Sequence, residues 1–220
     1  MADHQPPAGQ PPAGEPNVCS TDAMAHWLLA GGAGLMPTDT LPALVALPSH
    51  ARQIWTLKQR PDDKPLILMA SDAEALLALV RPDAEAAARP LAQHHWPGAL
   101  TLVLPIAGDA LAQSWLRSLN PGAKTLGLRV PACGEARQLL ARTGPLATTS
   151  ANPSGDTAAL NAAQAHRDFP DLPLLGPIPW PDPQGLASTV VCWQDSGRWQ
   201  TLRAGAVMPA GVDSPPPCSG

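Results

Sequence analysis

Apolar residues recur along this chain in two rhythms, interrupted by proline, glycine and short polar stretches. At helical spacing, Met24, Trp27, Leu28 and Leu29 follow Asp22, which can cap a helix that Gly31-Gly32 would end. Ile54 and Leu57, with Ala51 and Trp55, supply the apolar side of a second helix, capped by Ser49 and stopped soon after by Pro61. Ser71 caps a third helix carrying Leu76, Leu77, Leu79 and Val80, and more helices are predicted over 83–94, 134–142 and 158–167. A further segment surrounds Leu111–Leu119. Short continuous apolar runs mark buried strands at 34–36, 66–69, 100–104, 125–130 and 146–149. Two late strands, 188–193 and 199–203, flank Asp195-Ser196-Gly197 as a hairpin, so one sheet edge is predicted antiparallel. Strands separated by helices predict an α/β protein with a largely mixed or parallel sheet.

Composition adds boundaries. A chain of 220 residues is long enough for one sizeable core. Residues 1–17 and 209–220 are rich in proline and glycine and read as disordered tails around one domain, 18–208. No apolar run approaches the roughly 20 residues needed to span a bilayer, and the first residues lack the basic-then-apolar pattern of a secretory signal. Cysteines 19, 133, 192 and 218 form no CxxC pair and read as ordinary thiols, so a cytoplasmic location is expected. A net charge of −4 argues against coating nucleic acid by bulk charge. Locally the balance reverses. Arg52, Lys58, Arg60 and Lys64 face only Asp62 and Asp63, and Lys124, Arg129, Arg137 and Arg142 face Glu135 alone. Two basic stretches in an acidic protein can line one anion-binding cleft, or are scattered solvated faces.

Polar residues at the ends of apolar runs are the candidate site, because an open α/β sheet presents ligands there. In Pro37-Thr38-Asp39-Thr40 the hydroxyls suit a polar substrate and Asp39 an amine or cation; a turn with a cap is the plain alternative. Lys58, Arg60 and Lys64 sit on a proline-bounded segment that suits phosphates or a carboxylate; cations near a helix C-terminus are also structurally favourable. Thr148-Thr149-Ser150-Ala151-Asn152-Pro153-Ser154-Gly155 offers hydroxyls, an amide and a glycine for phosphate oxygens, or is a decorated turn. Ser188, Thr189 and Arg203 close the chain's polar set, and Arg129 within a central strand requires a partner or a ligand. His94 and His95 lack a third ligand nearby, so no protein metal site is expected, and no P-loop, GxSxG, HExxH or GxGxxG motif occurs.

Taken in order, MPTDT, LKQRPDDKPLILM, HWPGALTLVLP, LGLRVP, GPLATTSANPSG, ASTVV and LRAGAV resemble the YrdC family of threonylcarbamoyl-AMP synthases, from about residue 22 to residue 208. The resemblance implies a twisted, open, mostly parallel (mixed) sheet flanked by helices, with a large basic cavity. It implies ATP, L-threonine and bicarbonate or CO₂ as substrates, with Mg²⁺ held mainly by the phosphates. It also implies downstream proteins that load the product onto adenosine 37 of tRNA, and leaves a weak contact with tRNA itself open. The family's Lys-x-Arg falls on Lys58 and Arg60, followed by Lys64; these are the expected catalytic cations. Its Ser-x-Asn falls on Ser150 and Asn152, joined by Ser154, Ser188 and Arg203 at the nucleotide. Thr38, Arg129 and Thr148 are assigned to threonine.

The chain departs from the family pattern at Leu41-Pro42-Ala43-Leu44, where an aromatic residue and Gly-Leu are usual, and at Val45-Ala46-Leu47-Pro48. Proline there removes a ring and a backbone donor beside the expected threonine position. Ala204-Gly205 stands for the usual Pro-Gly. Two alternatives remain beside the synthase: a non-enzymatic nucleotide- or RNA-binding relative, and an enzyme working through carbamoyl-adenylate.

Overall fold

The computed structural model describes residues 15–59, 64–181 and 185–213. Its strands are β1 (Val18–Cys19), β2 (Ala33–Met36), β3 (Ala43–Ala46), β4 (Ile67–Met69) and β5 (Leu100–Pro105). They continue as β6 (Thr125–Arg129), β7 (Leu146–Ser150), β8 (Leu174–Leu175), β9 (Thr189–Trp193) and β10 (Trp199–Arg203). The helices are α1 (Thr21–Leu29), α2 (Arg52–Lys58), α3 (Ala73–Leu77), α4 (Pro82–His95), α5 (Ala110–Leu119), α6 (Gly134–Thr143) and α7 (Ala162–Asp168). All ten strands join one sheet in the order β1-β8-β2-β3-β7-β4-β6-β5-β9-β10.

The sheet is mixed, as expected, but not mostly parallel. Among the described residues four neighbouring pairs are parallel and five antiparallel. The difference comes from β3. Residues 43–46 form a full strand that returns directly alongside β2 and then pairs antiparallel with β7. Its Ala-Leu-Val-Ala sequence carries no polar alternation because all four residues are buried. β1 and β8 are too short to show a period.

Four of the described helices start where a short polar side chain takes a free backbone N–H. Ser20, not Asp22, caps α1, and Asp72, not Ser71, caps α3. Asp109 and Asn161 cap α5 and α7. Ser49 lies inside a 3₁₀ turn leading to α2, which has no side-chain cap. α2 ends at Lys58 because Gln59 turns left-handed, φ 49°; Pro61, the expected stop, lies outside the described residues. Residues 209–213, expected in the C-terminal tail, return along β10, where Asp213 donates to the Trp199 carbonyl and accepts from Thr201 N. Asn17, expected in the N-terminal tail, accepts from Leu174 N.

The two faces of the sheet meet different fates. On one, Leu68, Leu102, Leu126, Leu128 and Val191 are buried in one large cluster with residues of α2, α3, α4, α5 and α7. On the other, α1 and α6 form a smaller cluster that reaches Met36, Val45 and Met69 but not the β5–β9 side. The rest of that face is therefore left without helices. Among the described residues no helix is long and apolar enough to cross a membrane.

Candidate functional site

Over that helix-free area lies a cavity of about 650 Å³. Strand periodicity makes its floor: Thr148 and Ser150 of β7, Ile67 of β4, Gly127 of β6, Thr101 of β5 and Val190 of β9 all present the same face. The neighbours between them in sequence point to the helix side. Gly127 keeps the floor low, since a Cβ there would lie 2.7 Å from the Ile67 side chain.

Arg129 stands on the same face of β6, almost wholly buried, and it has partners on three sides. Its Nη2 pairs with Asp39 Oδ1 at 2.7 Å, Nη1 donates to Thr40 Oγ1 at 2.8 Å, and Nε donates to the Gly98 carbonyl at 3.0 Å. Asp39 Oδ1 also accepts from Ala132 N. Thr38 Oγ1 donates to the Leu41 carbonyl at 2.7 Å, so the 3.1 Å bond with Thr40 must have Thr40 as donor. Arg129, Thr40, Thr38 and Leu41 thus form one hydrogen-bonded chain that folds the loop between β2 and β3. Burial pulls the Arg129 pKa below its ordinary value, Asp39 opposes this, and the positive charge of Arg203 adds to the lowering. Arg203 is lowered by its own burial. Two guanidinium groups that feel each other across one cavity favour an anion between them.

Lys58 is buried at the end of α2 and joins the second segment to the third. Its Nζ donates to the Ser150 carbonyl and, at 3.3 Å, to Asn152 Oδ1, while its own carbonyl accepts from Ser154 N. Asn152 Nδ2 donates to the Pro153 and Asp156 carbonyls. The Ser-Ala-Asn loop is accordingly pinned through both faces of the Asn152 amide. Thr148 Oγ1 donates to the Ile67 carbonyl at 3.3 Å, crossing from β7 to β4.

Arg203 reaches the opposite wall because of a β-bulge. Trp199, Gln200 and Thr201 stand opposite Trp193, Cys192 and Val191, so strict alternation would turn Arg203 to the helix side. Instead the register shifts after Thr201 and Arg203 stands opposite Val190, a cavity residue. Its guanidinium then donates to the Ser188 carbonyl at 2.9 and 3.2 Å and to Ser188 Oγ at 3.3 Å. Thr189 Oγ1 donates to the Val207 carbonyl and accepts from Gly205 N, drawing the following segment against residues 187–189. Only glycine fits at 205: a Cβ would strike the backbone of Ala187 and Ser188.

Of the residues singled out from sequence, Arg129, Thr148, Ser150, Asn152, Ser188 and Arg203 line the cavity. Thr38, Lys58, Lys64 and Ser154 do not; Thr38 and Lys58 bond to residues that do, Ser154 N donates to the Lys58 carbonyl, and the Lys64 carbonyl accepts from Trp55 Nε1. Arg60 lies outside the described residues. Thr101, Asn120, Asp156 and Cys192 were not anticipated on the wall. For Thr101 a signal existed: it is the one polar position in Leu100–Leu104, on the face opposite Leu100, Leu102 and Leu104. Leu41, Pro42 and Ala43, the departure noted above, line the cavity beside Thr40.

The family model Sua5_yciO_yrdC, described as "Telomere recombination", matches residues 26–205. This chain belongs to the Sua5/YciO/YrdC family. Within it, the chain is similar to the threonylcarbamoyl-AMP synthase of Bacillus subtilis (strain 168), 34% identical over 164 residues, 72% of this chain and 46% of that protein. It is similar to the Idiomarina loihiensis protein of the same name at 34% identity over 152 residues, 67% of this chain and 79% of that protein. The crystal structure of P. abyssi Sua5 complexed with L-threonine superposes with a TM-score of 0.76 at 28% identity, covering 86% of this chain and 57% of that one. E. coli YciO, at 21% identity and a TM-score of 0.71, shares the fold. The chain therefore spans less than half of the Bacillus relative and somewhat over half of the P. abyssi protein.

Proposed function

We propose that this Sua5/YciO/YrdC family member makes threonylcarbamoyl-adenylate from L-threonine, bicarbonate or CO₂, and ATP. The single observation that carries the reading is the cavity itself. Two guanidinium groups and the hydroxyls of Thr148, Ser150 and Ser188 surround a space of about 650 Å³, inside the roughly 300–1,000 Å³ range of small-molecule sites. Relatives named threonylcarbamoyl-AMP synthase, and a relative crystallised with L-threonine, support the substrate assignment.

In the proposed reaction the threonine amine adds to CO₂ and loses a proton, giving a carbamate. A carbamate oxygen then attacks the α-phosphorus of ATP, the bond to the bridging oxygen breaks, and pyrophosphate leaves. No protein nucleophile is called for, so the chain's task is orientation and charge neutralisation. Thr148 and Arg129 would hold threonine, with Thr38 acting through the loop it folds. Ser150, Asn152, Ser188 and Arg203 would hold the nucleotide, with Ser154 fixing the turn. Lys58 would act by setting the Ser150–Asn152 loop, and Arg60 and Lys64 by neutralising phosphates from the adjoining segment.

ATP would enter as its magnesium complex. Among the described residues no three His, Cys, Asp or Glu side chains gather as a metal site. Among the described residues the wall offers hydroxyls and amides with one carboxylate, Asp156, which fits a hydrated ion carried on phosphates. The product would pass to proteins that modify adenosine 37 of tRNA, and with ATP and tRNA as its currency the expected compartment is the cytoplasm.

The test is turnover of the purified chain with ATP, threonine and bicarbonate, reading pyrophosphate and the adenylate. Threonine-dependent pyrophosphate release is expected. ATP binding without it would favour a non-enzymatic relative, and turnover with carbamoyl phosphate in place of threonine and bicarbonate would favour carbamoyl-adenylate chemistry. Lys58→Ala should lower kcat/KM roughly 10²-fold or more, because both walls of the nucleotide loop lose their anchor.

A further inference from the structure

Thr101 belongs to none of the segments assigned a role above, yet its hydroxyl is committed to the site. The residue is wholly buried on β5, on the cavity face, and its Oγ1 lies 2.8 Å from Ser188 Oγ. Ser188 Oγ in turn accepts from Arg203 Nη2 at 3.3 Å, and the Ser188 carbonyl accepts two further bonds from the same guanidinium. A serine hydroxyl has one proton and two lone pairs, so it can accept from Arg203 and still bond Thr101, as donor or as acceptor. β5 pairs with β9 parallel, Leu100 opposite Thr189. That register sets Thr101 opposite Val190, so Ser188, two residues earlier on the same face, is its diagonal neighbour.

The Thr101 methyl is fixed as well. It packs over Gly127, where even an added Cβ would lie 3.4 Å from it. The methyl over glycine and the hydroxyl on Ser188 leave the side chain one orientation. We propose that Thr101 is a positioning residue that holds Ser188, and through it Arg203, at the nucleotide end of the cavity. The inference rests on the reading of that end as an ATP site.

The test compares the wild type with Thr101→Val, which keeps the shape and removes the hydroxyl, and Thr101→Ser, which keeps the hydroxyl. Kd for ATP is measured directly by calorimetry, alongside KM for ATP, KM for threonine and kcat. Loss of one buried hydrogen bond should weaken ATP binding about five- to tenfold in the valine variant, with serine within about twofold of wild type. KM for threonine should stay unchanged, a split that a general loss of packing would not produce. If the valine variant does not fold, Thr101→Ala is the second hydroxyl-free form. Wild-type ATP affinity in a folded hydroxyl-free variant overturns the proposal, as does equal weakening for threonine. A wild-type chain that binds ATP but releases no pyrophosphate would refute the synthase reading, while the Kd ratio would still decide the role of Thr101. A wild type with no ATP affinity refutes both.

Discussion

Arg129 is a cation almost wholly buried in the protein. A buried guanidinium is tolerated because Asp39, Thr40 and Gly98 satisfy it from three directions. Asp39→Ala would leave that cation without its counter-charge and the Ala132 amide without its acceptor. The expected cost is about 3 kcal/mol or more, read as a lowered urea midpoint at unchanged slope. Asp39→Asn keeps an acceptor oxygen and should cost markedly less. Equal midpoints for wild type and the alanine variant would show that solvent in the cavity screens Arg129. Thr38 and Lys58, expected to touch substrate, donate hydrogen bonds to the carbonyls of Leu41 and Ser150, two residues of the cavity wall.

At the scale of elements, two irregularities aim the chemistry. The bulge in β10 turns Arg203 onto the cavity face, and the close approach at Gly205 presses the 203–207 segment against Ser188. Gly205→Ala would have to displace one of those backbones. The expected outcome is a loss of ATP affinity of about tenfold or more, with threonine affinity less affected, since the Arg203–Ser188 bonds are charge-assisted. Titration of both substrates into the folded variant checks it; unchanged ATP affinity would mean the segment has room to shift. The β2–β3 hairpin is the second device. Its six-residue loop, 37–42, brings Thr38, Asp39 and Thr40 to Arg129 and sets Leu41 and Pro42 on the cavity wall.

For the whole molecule, the helix-free half of one sheet face is the organising fact. Helices bury the opposite face, and α1 with α6 cover only part of this one. A ligand filling the cavity would bridge β7, β4, β6, β5 and β9, and its binding energy would add to global stability. At ATP about 100 times its Kd, the folded state gains about 2.7 kcal/mol, which for a chain of this size raises Tm by about 5–10 °C. Thermal unfolding with and without MgATP measures it. A Tm that does not respond to MgATP would argue against nucleotide in this cavity.

The sequence by itself determined the α/β class, most strand and helix positions, and the segments from which the cavity is lined. These follow from local patterns: apolar runs, caps, prolines and polar residues at strand ends. It also carried the demand that Arg129 find a partner, because burial of a cation is a requirement readable from one residue in an apolar strand. The partner's identity was not readable, since Asp39 lies 90 residues away. Nor was β3, whose four buried residues show no alternation, and with it went the balance of parallel and antiparallel neighbours. Strand order, the bulge that turns Arg203 and the register that sets Thr101 opposite Val190, diagonal to Ser188, depend on pairing across the sheet. Such pairing is set by non-local hydrogen bonds and packing, to which no single stretch of sequence has access, and so the tertiary structure alone decided which polar residues face the cavity and which hold its walls.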